Sequence, residues 1–170
     1  MKTHLIAIII LAPWLSGKSS NALPQNPGTP TAQVVNQTVK PYFAALVVTN
    51  IDNSIDWYKD IFGLELRNRV DSPERGFRQA NLYSEFMLIE LVELKSMLTP
   101  EEVLKDKTKG TELTGYYKMG FIVDDLEEWH SHLEKKQVRF EGRVVTDSQT
   151  GEKTFLINDP DNNLIQFFEQ

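Results

Sequence analysis

Few side chains in this chain have the types that metal or covalent chemistry requires. There is no cysteine, so disulfides, thiolate catalysis and cysteine metal sites are excluded. Of the three histidines, His130 and His132 lie two positions apart on a predicted helix, so they point in different directions and are predicted to face solvent. A predicted strand over residues 86–94 is otherwise almost wholly apolar but contains Glu90 and Glu93. An imidazole-rich metal site is therefore nearly excluded, and carboxylate, amine and amide groups are what remain.

The composition sets the class of protein and excludes some partners. The chain has 170 residues, 41% hydrophobic and 25% charged, which is typical of one globular domain with a real core. Its formal net charge is −6, and no basic stripe is present. This balance argues against binding to nucleic acid or to an anionic membrane surface.

The elements that must position any site form an internal repeat. Residues 42–66 predict a strand, a helix capped by Asp52 or Asn53 and ended by Gly63, and a second strand. Residues 117–142 follow the same order, and the segment 48–51 aligns with 123–126 at an offset of 75 positions. We therefore predict one domain built from two copies of this unit about a pseudo-twofold axis, with site residues contributed in pairs.

The remaining patterns complete each copy. A helix from Thr99, with Glu102 completing its cap, is predicted to open the linker and to end at residue 104 or 105. Asp124 or Asp125 is predicted to cap the second amphipathic helix. The fold class is therefore α+β, with the order β-α-β-β-β twice, modules at about 41–95 and 116–170, and a linker at 96–115. Further strands are predicted at 64–70, 77–83 and 86–94, and at 138–142, 153–157 and 164–168.

The first 22 residues resemble an export signal. Lys2 precedes an apolar run at residues 5–15, which is too short to span a bilayer comfortably, and small residues surround Ala22. We expect cleavage after Ala22 and a secreted or periplasmic protein with no membrane contact after signal removal; an uncleaved anchor is the alternative. Residues 23–40, rich in Pro, Gln, Asn and Thr, are predicted to form a flexible arm.

Four stretches carry a family resemblance: SIDWYKDIFGLEL at 54–66, IELVEL at 89–94, FIVDDLEEW at 121–129 and FLINDPDNNLIQFFE at 155–169. In this order they resemble the vicinal oxygen chelate superfamily, which contains glyoxalase I, bleomycin-resistance proteins and extradiol dioxygenases. The resemblance implies two βαβββ modules forming a cupped mixed sheet with helices outside. It does not imply one reaction, because the fold hosts many chemistries.

The resemblance also implies where a metal would sit. Metal-binding members take one ligand from the first and one from the last strand of each module, which here gives Phe43, Glu90, Lys118 and Gln166. The repeat pairs the same positions, at offsets of 75 and 76. Phe43 cannot ligate and Lys118 presents an ammonium, so only Glu90 and Gln166 could donate oxygen. We therefore expect no metal or other cofactor, with Lys118 offsetting the charge of Glu90.

Strand alternation predicts the rest of the cup. Leu88, Ile122 and Phe168 are predicted to face the same side as the positions implied by the resemblance. An apolar cup with a few polar groups favours binding of a small, largely apolar molecule, and a homodimer is compatible with it. One alternative is a metal-dependent lyase, isomerase or dioxygenase using Glu90 and Gln166. The other alternative is a structural or interaction module whose cup is filled. No catalytic residue is assigned from the sequence.

Overall fold

The computed structural model describes residues 41–105 and 113–169. The predicted signal segment 1–22, the predicted arm 23–40 and the middle of the predicted linker lie outside the described residues. No helix of the described part is both long and apolar enough to cross a membrane.

The first module is a four-stranded mixed sheet covered by one helix. Its sheet order is β1-β4-β3-β2, with β1 parallel to β4 and the other pairs antiparallel. The short helix α2, Pro100–Leu104, follows the module. In chain order the module's elements are β1 Ala44–Val47, α1 Ile51–Phe62, β2 Glu65–Ser72, a 3₁₀ turn Pro73–Arg75, β3 Phe77–Tyr83 and β4 Leu88–Leu94.

The second module repeats this arrangement. Its sheet order is β5-β8-β7-β6, again with the first strand parallel to the last. The predicted order of elements and the α+β fold class are therefore confirmed. The elements are β5 Lys118–Val123, α3 Leu126–Lys135, β6 Val145–Thr146, β7 Lys153–Asn158 and β8 Leu164–Glu169.

The cap of α1 differs from the prediction. Asn50, not Asp52 or Asn53, is the capping residue, and its Oδ1 accepts a hydrogen bond from the backbone N–H of Asn53 at 3.0 Å. Asp52 lies inside the first turn, where its carboxylate pairs with Arg69 and Arg78. Several polar residues in a row can each cap a helix, so the sequence alone did not locate the start. Asp125 caps α3 as predicted.

The predicted strand at 138–142 is wrong. The chain adopts a left-handed conformation at Gln137 and again at Gly142, with φ of 56° and 81°. The extended stretch between these residues is too short for a ladder, and only the bridge between Phe140 and Ile157 forms. The short edge strand β6 lies further along the chain.

Each sheet buries one face under its helix. Side chains on alternate positions of β3, β4, β7 and β8 are almost or fully buried, among them Leu82, Leu91, Phe155 and Phe167. Their neighbours on the opposite face are mostly half-buried. The core therefore lies on the helical side of the sheets, and the opposite faces are where a ligand could gain access.

The two modules also meet on their helical side. The ring of Phe62, from α1, stacks on that of Phe167, from β8, with centroids 6.0 Å apart and planes within 3°. It also contacts Trp129 and Phe121. One hydrophobic core therefore includes residues from both modules.

Candidate functional site

A cleft of about 450 Å³ lies where the free edges of β1 and β5 approach each other. Val47 lines it from β1 and Lys118 from β5. β1 and β5 are edge strands. Side chains from both faces of each strand therefore reach the opening of the cleft. The apolar part of the wall includes Leu46, Met97, Leu98, Met119, Pro160 and Leu164, and the polar part includes Thr49, Thr99, Asn162 and Asn163.

The end of the cleft is formed by the turn between β7 and β8. Asp161 in this turn accepts hydrogen bonds from the backbone N–H of Thr49, at 2.8 Å, and from its hydroxyl. Its second oxygen accepts from the hydroxyl of Ser54 at 3.3 Å. The turn of the second module is therefore attached to the start of α1 in the first, which fixes the width of the cleft at this end.

A buried carboxylate, that of Asp159, holds the turn itself. It accepts hydrogen bonds from the backbone N–H groups of Asp161 and Asn163 and from the Asn163 side chain, at 2.8–2.9 Å. The two backbone groups donate to Oδ1, whereas the Asn163 side chain shares Oδ2 with the hydroxyl of Tyr58, on α1, which donates at 2.9 Å. Burial raises the pKa of Asp159 above its ordinary value, against the effect of these hydrogen bonds. Burial, and then the neighbouring Asp159 charge, raises the pKa of Tyr58 beyond its usual range.

Of the seven residues predicted from the sequence to bind a ligand, Lys118 is the one that lines this cleft. Lys118 lines it, together with Ala45, Val47 and Leu164. Ala45 is the register partner of Glu90, and Leu164 is the register partner of Lys118. The others do not line the cleft: Leu88 and Glu90 lie on β4, Gln166 and Phe168 on β8, Ile122 on β5, and Phe43 just before β1.

The expected ion pair between Lys118 and Glu90 is not made within the described part of this chain. The Glu90 carboxylate accepts a hydrogen bond from the amide of Gln79 on β3, which lies on the side of β4 away from β1. Lys118 is exposed and takes part in none of the ion pairs among the described residues. Glu90 is therefore bound by an amide of its own module.

The sequence reasoning missed the hydrogen-bonding partners of Glu90 and Gln166. The amide of Gln166 donates to the hydroxyl of Thr154 at 2.7 Å, as the amide of Gln79 donates to Glu90. Gln79 and Thr154 are themselves 75 positions apart, the offset of the repeat. The offset identifies these two positions as equivalent, but the contacts that their side chains make are known only from the structure.

The prediction for the histidines is only partly right. His130 is half-buried, and its ring lies 4.4 Å from that of Phe140 and 5.3 Å from that of Phe155. This position of α3 points towards the second sheet, so the His130 ring packs against the end of that sheet. His132 is exposed, as predicted.

Comparison with protein families matches residues 38–167 to the Glyoxalase/Bleomycin resistance protein/Dioxygenase superfamily. The chain belongs to this superfamily. The resemblance noted in its sequence motifs is thereby confirmed, and the match includes the strands that form the cleft.

Individual relatives of this glyoxalase superfamily chain agree with the fold. YaeR, an uncharacterized protein of Escherichia coli (strain K12), is 28% identical over 126 residues, which are 74% of this chain and 92% of YaeR. A glyoxalase family protein from Enterococcus faecalis has a TM-score of 0.66 and 19% identity, covering 76% of this chain and 97% of that one. A lactoylglutathione lyase from Agrobacterium tumefaciens has a TM-score of 0.54 and 19% identity, covering 78% and 96%. The two structural similarities show the shared fold.

The metal ion of the superfamily's metalloenzymes does not fit the residues present here. Among the described residues, no group of three or more His, Cys, Asp or Glu side chains could hold a metal ion. At the positions implied by the family, an aromatic ring and an ammonium replace two ligands, and the remaining groups, Glu90 and Gln166, are hydrogen-bonded to neighbours. Two oxygen donors without imidazole are a poor set for Zn²⁺ or Fe²⁺.

Proposed function

We propose that this glyoxalase superfamily protein is exported and binds a small, largely apolar molecule in the cleft between its modules. The observation that carries the proposal is the cleft itself, about 450 Å³, whose lining combines aliphatic, methionine and tyrosine side chains with polar ones such as Thr49 and Asn163. Volume and lining of this kind are typical of small-molecule sites. Methionine walls adapt to ligands of different shape, which suits a binding protein.

The alternatives receive less support. A metal-dependent lyase, isomerase or dioxygenase would need ligands that Phe43 and Lys118 cannot supply. A module with no space for a ligand would not have an open cleft beside Lys118, where about 450 Å³ is present. The acidic net charge of −6 argues against nucleic acid as the partner.

A homodimer is part of the proposal. Val47 and Ile122, at equivalent positions of the two edge strands, have 53% and 68% of their surface exposed, and Phe43 has 54%. These three exposed apolar side chains are the basis for proposing an interface between two copies of the chain. Multi-angle light scattering should give twice the mass of one chain, and a single-chain mass at micromolar concentration would contradict this part of the proposal.

Export is supported by the sequence of residues 1–22. N-terminal sequencing of protein recovered from outside the cytoplasm should begin at Leu23. Retention of Met1 in that fraction would count against cleavage.

Binding can be tested with a neutral fluorescent probe, N-phenyl-1-naphthylamine, whose emission rises in apolar surroundings. Leu164→Trp places a larger side chain in the cleft, so we expect probe affinity to fall about tenfold, a loss of about 1.4 kcal/mol. Leu88→Trp is the matched control, because Leu88 is the first residue of β4 as Leu164 is of β8, is also half-buried, and does not line the cleft. Absence of binding to the unaltered protein, or equal loss in both variants, would refute the proposal.

A further inference from the structure

We propose that the ligand of the cleft carries an anionic group, which pairs with the ammonium of Lys118. This inference rests on the proposed function and narrows it to a class of molecule: a flat, apolar body with one carboxylate, sulfonate or comparable anion.

Among the described residues, the charged ones that line the cleft are Glu101, Lys118 and Asp161. The carboxylate of Asp161 is engaged by the backbone and hydroxyl of Thr49 and by the hydroxyl of Ser54. Glu101 lies in the first turn of α2, where a carboxylate stabilises the positive end of the helix dipole. Both acids therefore have a structural explanation.

Within the described residues, the ammonium of Lys118 has no comparable structural role. It is exposed at the start of an edge strand, and none of the ion pairs in the described ranges includes it. Among the described residues that line the cleft Lys118 is the one cation, whereas Glu101 and Asp161 carry negative charge, so an anionic ligand would be held by direct pairing with this ammonium. Such a group at the opening would attract and orient an anionic ligand.

The residues before Lys118 favour a flat ligand body. Tyr116 and Tyr117 both line the cleft, and 83% and 64% of their surface is exposed. Exposed aromatic rings offer faces for stacking, and their hydroxyls remain in water. Met97 and Met119 lie on the same cleft, where a thioether can contact the edge of an aromatic ring.

Two probes with the same ring skeleton separate the anion from the apolar body. 8-Anilinonaphthalene-1-sulfonate differs from N-phenyl-1-naphthylamine only by its sulfonate. The unaltered protein should bind the sulfonate about fivefold more tightly, which is the upper range for one exposed charge pair. The preference should shrink as salt is raised, because exposed charge pairs are screened.

Variants of Lys118 test whether this residue causes the preference for the sulfonate probe. Lys118→Met should abolish the preference for the sulfonate probe over the neutral probe, and Lys118→Arg should retain it. Lys135→Met, an equal change of net charge at an exposed position on α3, should leave both affinities unchanged.

The outcomes distinguish this inference from the proposed function. Equal affinity for the two probes, or an equal effect of Lys135→Met, would overturn the anion inference while the cleft remains a binding site. Failure of both probes to bind would overturn the proposed function and the inference together.

Discussion

The two modules have the same order of elements, but the turns that connect the last two strands of each module make different contacts. Between β7 and β8, Asp159 and Asp161 form hydrogen bonds to Tyr58 and Thr49 of the first module and help to form the cleft. The corresponding turn between β3 and β4 is short, and its hydrogen bonds stay within residues 84–87. The acidic groups of the first module instead surround the start of α1 at the surface. A repeated fold therefore carries one buried carboxylate cluster between modules and one exposed cluster within a module.

The exposed cluster is an ion-pair network. Arg69 and Arg78 each pair with both Asp52 and Asp71, and Arg78 also contacts Glu93 at 3.2 Å. Glu93 in turn accepts a hydrogen bond from the first backbone N–H of α1, at 2.7 Å. This network fixes the helix to the sheet of its own module, whereas Asp159 connects different modules.

The largest effect is expected where the buried cluster is broken. Asp159→Ala removes the acceptor of four hydrogen bonds and leaves the Tyr58 hydroxyl buried without a partner. We expect a loss of about 3 kcal/mol in the free energy of unfolding, measured by urea denaturation with tryptophan fluorescence. Asp159→Asn keeps the shape and one acceptor oxygen and should cost clearly less. Similar losses in the two variants would show that packing, rather than hydrogen bonding, matters here.

A smaller effect is expected for the contact that attaches the turn to the first module. Asp161→Ala should lower the free energy of unfolding by about 1 kcal/mol, because its hydrogen bonds to Thr49 are at the surface. Its effect on the cleft should be more evident, as a weaker affinity for N-phenyl-1-naphthylamine. Asp52→Ala, in the exposed cluster of the first module, is the control and should leave probe affinity unchanged. Reduced affinity in both variants would contradict the assignment of the cleft to the second module's turn.

More of the fold than of the candidate site could be predicted from the sequence. Alternation and turn residues predicted β3 at Phe77–Tyr83 with its observed bounds, and Thr99 with Glu102 predicted the capping box of α2. These signals come from residues that lie close together in the sequence. The direction of the Glu90 carboxylate was not predictable in this way, because it depends on a glutamine on the neighbouring strand. The cleft depends on how the modules pack around Phe62, which no single segment encodes.

The smallest effect concerns pH, and the two clusters should respond with opposite sign. Hydrogen bonds from Arg69 and then Arg78 lower the pKa of Asp71 to about 2, from 3.8. Its stabilising contribution is complete above pH 3.8 and is lost as the pH falls towards 2. Burial raises the pKa of Asp159, so protonation of that group is easier in the folded state, and acidification through its raised pKa favours folding.

Thermal unfolding across the acidic range separates these contributions. Asp71→Asn should make the decline in Tm below pH 3.8 shallower than in the unaltered protein. Asp159→Asn should remove the favourable contribution of acidification and make the decline begin at higher pH. Parallel curves for all three proteins would contradict the assigned pKa directions.

The most direct test of the binding cleft compares equivalent positions of the modules. Val47 and Ile122 are 75 positions apart on β1 and β5, and both are exposed, but Val47 lines the cleft and Ile122 does not. Each is replaced by glutamate and titrated with N-phenyl-1-naphthylamine. The account predicts at least a tenfold loss of affinity in Val47→Glu and no more than a twofold change in Ile122→Glu, on the order of 1.4 and 0.4 kcal/mol. Equal losses, or a larger loss in Ile122→Glu, would contradict it.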